Sequence, residues 1–436
     1  MTQYGAVNPA LFCDLYELTM AAAYDASGLG GTATFELFVR ALPPERNFLV
    51  AAGLADVLEA LEAWVFDDAA MAYLQTLPGL PAGFLDHIAG LHFTGEVRAV
   101  PEGEVVFEEE PLLEVRAPLL EAQLLETLLL NVIGTATMQA SKAARVALAA
   151  GDRTFADFSA RRDHGVAAAM SAARTSAIAG ASSTSLVEAG RRFGLDLSGT
   201  MAHAYVMAFD DERDAFRSFC RTFPSNAVLL LDTWDTVQGA HHAVAVAREL
   251  APEGVRVAGV RLDSGDLDVL SRKVRAILDD ADFPDIRILA SGDLDEHRIA
   301  HLLAEGAPID AFGVGTRMGT SADAPSLGVV YKLVEDERGP KMKLAEGKAT
   351  LPGRKQVWRS DEVDVLGLID EQIDGRPLLS LARAEPMEVI RQRCREAIAA
   401  LPVRLHQLAP ARPPYEVRIS AGLTTLLDRL TAEHRR

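Results

Sequence analysis

Apolar and polar positions follow three different rhythms along this chain, and each predicts its own architecture. Over residues 1–118, short strand-like runs mix with helical ones. TATFELFVR, from Thr32 to Arg40, carries β-branched and aromatic residues between Gly31 and the turn pair Pro43–Pro44 and predicts a strand. LADVLEALEAWV repeats its apolar residues at helical spacing. GEVRAVPEGEVVFEEEPLLEVRAP reads as strands broken by PEG, Pro111 and Pro118, with the acidic run Glu108–Glu110 as a solvated strand end. The expectation is a β-rich N-terminal domain over 1–118 that also holds helices.

The pattern changes at Leu119. LLEAQLLETLLLNVIGTATMQASKAARVALAAG predicts a long helical region, divided near Gly134. After Gly151 a repeat sets in: RTFADF, SGTMAHAY, AVLLLDTW, VAGVRLDSGD, IRILASGD and DAFGVGTR each read as a buried strand entering a polar loop. The last four start about 25 to 30 residues apart with helix-like segments between, the period of βα units around a parallel sheet. An α/β domain over 119–327 follows from this. Asp232, Asp263, Asp293 and Gly315 fall at the C-terminal ends of these strands, where parallel α/β barrels place their active sites. Taken singly, each such residue could equally cap the following helix. Small or charged residues in all the loops favour a shared site. An open doubly wound sheet would give the same pattern as a barrel. From 328 to 436, GVVYKLVEDERGPKMKLAEGKATLPGRKQVWR reads as short antiparallel strands returning to the β layer. A helix around Pro386–Leu401 and another after Ala421 complete the segment.

Composition narrows the class. A chain of 436 residues exceeds one ordinary core. Its 49% hydrophobic and 24% charged residues fit a soluble globular protein. No stretch approaches the roughly 18 uninterrupted apolar residues of a membrane span, and MTQYGAVNPALFCDLYELTM lacks the pattern of a secretory signal. Cys13, Cys220 and Cys394 lie far apart without metal-ligand spacing, which fits a reducing cytoplasm. A net charge of −19 disfavours nucleic acid as a partner. An acidic protein that takes an anionic substrate must build a locally basic pocket, and Arg161–Arg162 is the first place to look.

Three loops carry chemistry. AFGVGTRMGTS, Ala311–Ser321, is a small-residue loop after a strand, open to a phosphate or simply a tight turn. RLDSGDL, Arg261–Leu267, sets an arginine and two carboxylates on one strand end. These suit a carboxylate or phosphate on one side and ribose hydroxyls or Mg²⁺ on the other; an internal ion pair is the alternative. GTMAHAY places His203 in another loop, where a structural histidine is the bland alternative. No Ser-His-Asp spacing argues for hydrolysis.

In order, DLYELTM, FELFVRALP, FADFSARR, SGTMAHAY, RLDSGDL, ASGDLDE, FGVGTRMGTSADAPSLGVVYKLV and KQVWR resemble the nicotinate phosphoribosyltransferases, over about Leu11 to Arg359. The resemblance implies a type II phosphoribosyltransferase fold: an irregular α/β barrel plus an N-terminal β-sandwich-like α+β domain. It also implies a homodimer with shared active sites. The substrates would be nicotinate, 5-phosphoribosyl 1-pyrophosphate and ATP, with Mg²⁺ as cofactor, and the metal's ligands stay open. Tyr16 would reach in from the partner subunit and stack on the pyridine, with Phe158 on the other face. Thr200, Arg161 and Arg261 would meet nicotinate, Arg261 holding its carboxylate and Arg161 lying near carboxylate and pyrophosphate. Asp232, Asp263, Gly292 and Asp293 would face phosphoribosyl pyrophosphate or Mg²⁺. Gly315 and Thr316 would hold the 5′-phosphate, and His203 would be a phosphohistidine. The sequence departs from the family pattern at Ser159–Ala160, where Gly-Leu is usual, and at Ala204, where Ser is usual. It departs also at Ser183 and Leu186, in place of Gly and Asn. The rivals are a nicotinamide phosphoribosyltransferase, the shorter quinolinate enzyme and a non-catalytic phosphoribosyl-ligand sensor. The amide enzyme typically carries an aspartate near the position of Ser185, and an intact set of Asp232, Arg261, Asp263 and Asp293 argues against the sensor.

Overall fold

The computed structural model describes residues 7–345, 349–360 and 362–435. The strand-rich stretch read from 328 onward therefore includes residues 346–348 outside the described set, as does the N-terminal stretch for residues 1–6. The chain folds into two compact units, Met1–Ser141 with Ala324–Arg436, and Lys142–Asp323.

The first unit is built on a six-stranded antiparallel sheet. Its order is Gly339–Pro340, Val329–Asp336, Thr32–Val39, Pro111–Pro118, Glu96–Ala99 and Ser380–Leu381. Thr32–Val39 is buried along nearly its whole length, as a central strand of β-branched and aromatic residues should be. Phe35 stacks on Tyr331 of the neighbouring strand at 4.9 Å between ring centroids. A smaller sheet orders Arg376–Pro377, Lys355–Arg359, Val363–Leu368 and Glu416–Ile419.

Two expectations are corrected in this unit. Glu126–Ala150 is one unbroken helix, and the break falls earlier, after Leu119–Gln123. Gly134 is a packing residue: a Cβ there would lie 3.0 Å from Val329 Cγ2. Glu110 is fully buried beneath Arg359, while Glu108 and Glu109 are exposed. The unit boundaries also differ from 118/119 and 327/328. Leu119, Leu124, Leu125, Leu128, Leu129, Val132 and Ile133 belong to the first unit's core, which carries the division to Ser141/Lys142. The return falls at Asp323/Ala324.

The second unit is a six-stranded, all-parallel sheet. Its order is Ser183–Thr184, Thr154–Asp157, Ala311–Val314, Arg287–Ala290, Val257–Leu262 and Ala227–Leu230. Helices Val166–Ile178, Thr236–Leu250, Leu267–Asp280 and Glu296–Ala304 follow their strands. SGTMAHAY is not a strand. The two residues Ser183–Thr184 take the edge position beside Ala156–Asp157, and Leu197, just ahead of SGTMAHAY, makes an isolated bridge to Thr184. The run then enters the short helix His203–Met207. The physical reason is that SGTM offers only Met201 to the core, too little apolar surface for a buried strand. Among the described residues no helix is long and apolar enough to cross a membrane.

Candidate active site

The polar residues at the strand ends divide into two classes that sequence could not separate. The helices are capped by Asp235, Asp266 and Asp295, whose carboxylates accept the backbone N–H groups of Gln238 (2.7 Å), Val269 (3.3 Å) and Arg298 (2.8 Å). Asp232, Asp263 and Asp293 lie two or three residues upstream and cap nothing. They stand at the C-terminal end of the parallel sheet without structural duty to a helix.

Arg261 is the penultimate residue of the Val257–Leu262 strand, with its side chain near Asp263 and Asp232. Its Nη1 donates to Thr200 Oγ1 at 2.7 Å, while its Nε is buried and meets no acceptor. Burial pulls the guanidinium below its usual value. Asp263 and Asp232 oppose that shift, and the nearby charge of Arg161 adds to it. Asp232 Oδ2 accepts the Asp263 N–H at 3.2 Å and the Ser264 hydroxyl, and its Oδ1 is buried without a partner. Asp263 Oδ1 accepts from Ser291 Oγ at 2.5 Å. His203 opens its helix 39% exposed, with Nδ1 3.3 Å from Thr233 Oγ1 and Nε2 3.9 Å from Asp263 Oδ2.

Glycines make the close approaches possible. Gly292 has φ +92°, and a Cβ there would sit 2.0 Å from the Asp263 carbonyl oxygen, so no other residue fits. Asp293 follows at φ +48°, exposed. A Cβ on Gly313 would strike the Phe158 ring at 2.6 Å, so the ring packs closely against that strand. Gly315 precedes the single turn Thr316–Gly319, and Thr316 is exposed.

The second unit thus gathers Arg261, Thr200, Arg161, Asp232, Asp263 and His203, and holds Phe158, Gly292, Asp293, Gly315 and Thr316 at its strand ends. Tyr16 belongs to the first unit. It lies at the start of the Leu15–Ala26 helix, 45% exposed, and its hydroxyl is hydrogen-bonded to Glu126. Sequence reasoning missed Thr233, Ser264 and Ser291, the hydroxyls that orient His203, Asp232 and Asp263. The signal was a Ser or Thr within two residues of each strand-end aspartate, in LDTWD, LDSGD and ASGD.

Comparison with known proteins gives the family. Residues 11–134 match the nicotinate phosphoribosyltransferase (NAPRTase) N-terminal domain, and residues 153–348 match the nicotinate phosphoribosyltransferase (NAPRTase) family. The nicotinate phosphoribosyltransferase pncB2 of Mycobacterium tuberculosis is 46% identical over 97% of this chain and 94% of its own length. The chain belongs to the nicotinate phosphoribosyltransferase family. The Bacillus subtilis nicotinate phosphoribosyltransferase is 44% identical over 87% of this chain and 81% of its own. The crystal structure of human nicotinic acid phosphoribosyltransferase superposes with a TM-score of 0.85 at 30% identity, covering 96% of this chain and 99% of that one. The fold is therefore that of the type II phosphoribosyltransferases, with a curled parallel half-barrel sheet and a separate N-terminal domain.

Proposed function

We propose that the Arg261 cluster catalyses formation of nicotinate mononucleotide from nicotinate and 5-phosphoribosyl 1-pyrophosphate in NAD biosynthesis. The observation that carries this is the half-buried guanidinium with an unpaired Nε, beside carboxylates that cap no helix. A guanidinium edge suits the planar carboxylate of nicotinate, and an amide in its place would leave the charge unpaired. This favours the acid over nicotinamide, and curated relatives at 46% and 44% identity bear the acid enzyme's name.

The transfer breaks the C1–oxygen bond to pyrophosphate and forms the bond from the pyridine nitrogen to C1, so no protein nucleophile is needed. Phe158, packed against the strand at Gly313, would cover one face of the ring. Arg261, with Thr200 and Arg161, orients the base, while Asp263 and Asp293 face the ribose and its developing positive charge. Gly292 and the Gly315–Thr316 turn leave backbone room for the phosphates. Asp232 and Asp263 suit a Mg²⁺ that arrives on pyrophosphate, since that ion commonly takes one or two carboxylates and completes its shell with phosphate oxygens. The buried, unpartnered Asp232 Oδ1 fits such a role. Bound there, Mg²⁺ would stabilise the departing negative charge.

ATP coupling belongs to the same reading. The 3.3 Å contact to Thr233 Oγ1 allows the tautomer with the proton on Nδ1, in which His203 would present Nε2 as the nucleophile for the γ-phosphoryl of ATP. ADP leaves, and water later cleaves the phosphohistidine. Thr233 thus supplies the hydroxyl support that Ala204 cannot. In a homodimer, Tyr16 of each subunit would complete the neighbouring site, and a cytoplasmic location fits the composition.

A radiochemical assay with nicotinate and nicotinamide, with and without ATP, tests the whole reading. Nicotinate alone should react well, and His203→Ala should abolish ATP hydrolysis and stimulation while leaving a slow transfer. No acid-labile label from γ-labelled ATP on the active wild type would overturn the phosphohistidine. A Tyr16→Ala subunit mixed with an Asp263→Ala subunit should regain activity if the sites are shared.

A further inference from the structure

The loop after the Thr154–Asp157 strand carries Phe158 and Arg161 and is tied down by a cluster that the transfer reaction does not use. Asp157 is fully buried and accepts three hydrogen bonds. They come from Ser159 N (3.0 Å), Ser159 Oγ (2.6 Å) and Thr184 Oγ1 (2.9 Å). Ser159 Oγ also lies 2.9 Å from Asp163 Oδ2, and Asp163 Oδ1 is buried with no partner. Gly319 makes room for this contact: a Cβ there would fall 2.1 Å from Asp163 Oδ1 and 2.4 Å from Ser159 Cβ.

A serine hydroxyl has one proton, yet it touches two carboxyl groups. If both aspartates were ionised, one of the two contacts would press an oxygen lone pair against a carboxylate. Burial raises the Asp157 carboxyl, but its three donors oppose that shift, so of the two it is the better placed to carry the charge. Asp163 has no other donor, so its contact becomes attractive only when its own carboxyl proton points at Ser159 Oγ.

We propose that Ser159 and a protonated Asp163 form a lock that holds the 158–165 loop, and with it Phe158 and Arg161, in the position seen here. The lock positions these residues and touches no reacting atom, and its effect on catalysis rests on the role given above to Arg161 and Phe158. The surroundings agree. Burial raises the Asp163 carboxyl to about 6, joined by the charge of Asp157 and opposed by that of His164. The helix Thr316–Gly319, packed against the carboxyl through Gly319, carries Arg317, which is engaged 2.9 Å away by Asp295. The proton is present below this range and leaves as pH rises through it. The Ser159–Asp163 contact is then lost.

Hydrogen exchange of the 155–165 segment in full-length protein reads the lock directly. After correction for intrinsic exchange, wild-type protection should fall roughly threefold to tenfold between pH 5.5 and pH 7.5, the worth of one hydrogen bond. Asp163→Asn keeps a donor toward Ser159 at every pH and should hold protection constant. Ser159→Ala should be unprotected throughout. Equal pH profiles for wild type and Asp163→Asn would overturn the proposal. Steady-state kinetics of the same proteins separates the two levels. The ratio of wild-type to Asp163→Asn KM for nicotinate cancels substrate titration and should rise with pH. A change in exchange with a flat KM ratio would support the lock while overturning the placement of Arg161 and Phe158 at the base.

Discussion

Two arginines, one in each unit, sit among carboxylates and do opposite things. Arg359 of the first unit is fully engaged. Its Nε and Nη2 grip Asp364 at 3.1 and 2.5 Å, and its Nη1 donates to Glu104 (2.9 Å) and to the Val105 carbonyl (2.8 Å). Its plane lies over Phe107, and Tyr415 closes the cluster with a 3.0 Å hydrogen bond to Asp364. Arg261 of the second unit has comparable burial and two aspartates near it, yet makes one side-chain hydrogen bond, to a threonine. The carboxylates raise Arg359 above its ordinary value more than burial lowers it, whereas for Arg261 burial wins. A guanidinium whose donors are all matched within the fold is a structural device. One that carries the desolvation cost and leaves donors unmatched has been kept for something the fold does not contain.

The sharpest way to break this contrast is to remove each arginine. Arg359→Ala leaves Asp364 buried without a counter-charge and Glu104 with only the exposed Arg376, and should cost about 3–5 kcal/mol of stability, read by denaturant unfolding. Arg261→Ala removes a charge that the fold does not pair. Its melting temperature should stay level or rise, while kcat/KM for nicotinate falls on the order of 10²-fold, the usual cost of truncating one partner of a buried charge contact. The loss should appear in the KM for nicotinate far more than in that for phosphoribosyl pyrophosphate. Equal losses on both substrates would remove Arg261 from the base. A large loss of stability would make it a second Arg359.

Sequence made the parallel sheet and its loop ends legible, because the βα period needs only hydrophobic runs and spacing. The same reading could not say which aspartates were free. Asp232 and Asp235, or Asp263 and Asp266, differ by one turn of chain, and only backbone geometry makes the second of each pair the cap. The edge strand Ser183–Thr184 is illegible in the sequence because two polar residues leave no periodic signal, whereas the more apolar SGTMAHAY reads as a strand. Gly134 misleads for a related reason. A glycine inside a helical pattern marks either a break or a close approach, and its partner Val329 lies far away in sequence. The run Glu108–Glu110 hides one buried acid beside two exposed ones, which composition cannot resolve.

That buried acid gives the subtlest test of the comparison. If the Arg359 cluster is a finished structure, its charges must balance within it, and three carboxyl groups face one guanidinium and the exposed Arg376. One of the three is better kept neutral. Glu110 is the candidate: it is fully buried, accepts from the Phe107 N–H at 2.9 Å and shares a hydrogen bond with Asp364. Burial, and then the Asp364 charge, push its carboxyl well above the usual range against the pull of Arg359. A folded-state value above the unfolded one means that the folded protein holds this proton more tightly. The stability it brings is complete below the unfolded value and drains away as pH rises toward the folded one, by at most about 1.4 kcal/mol per pH unit. Glu110→Gln supplies the same shape and a permanent donor toward Asp364. It should fold with wild-type stability in acid and should lack the decline that wild type shows at higher pH. Urea midpoints measured from pH 5 to pH 9 would show the two curves diverging. Parallel curves would mean that Glu110 is ionised in the folded state, and that the first unit, like the second, carries an uncompensated charge.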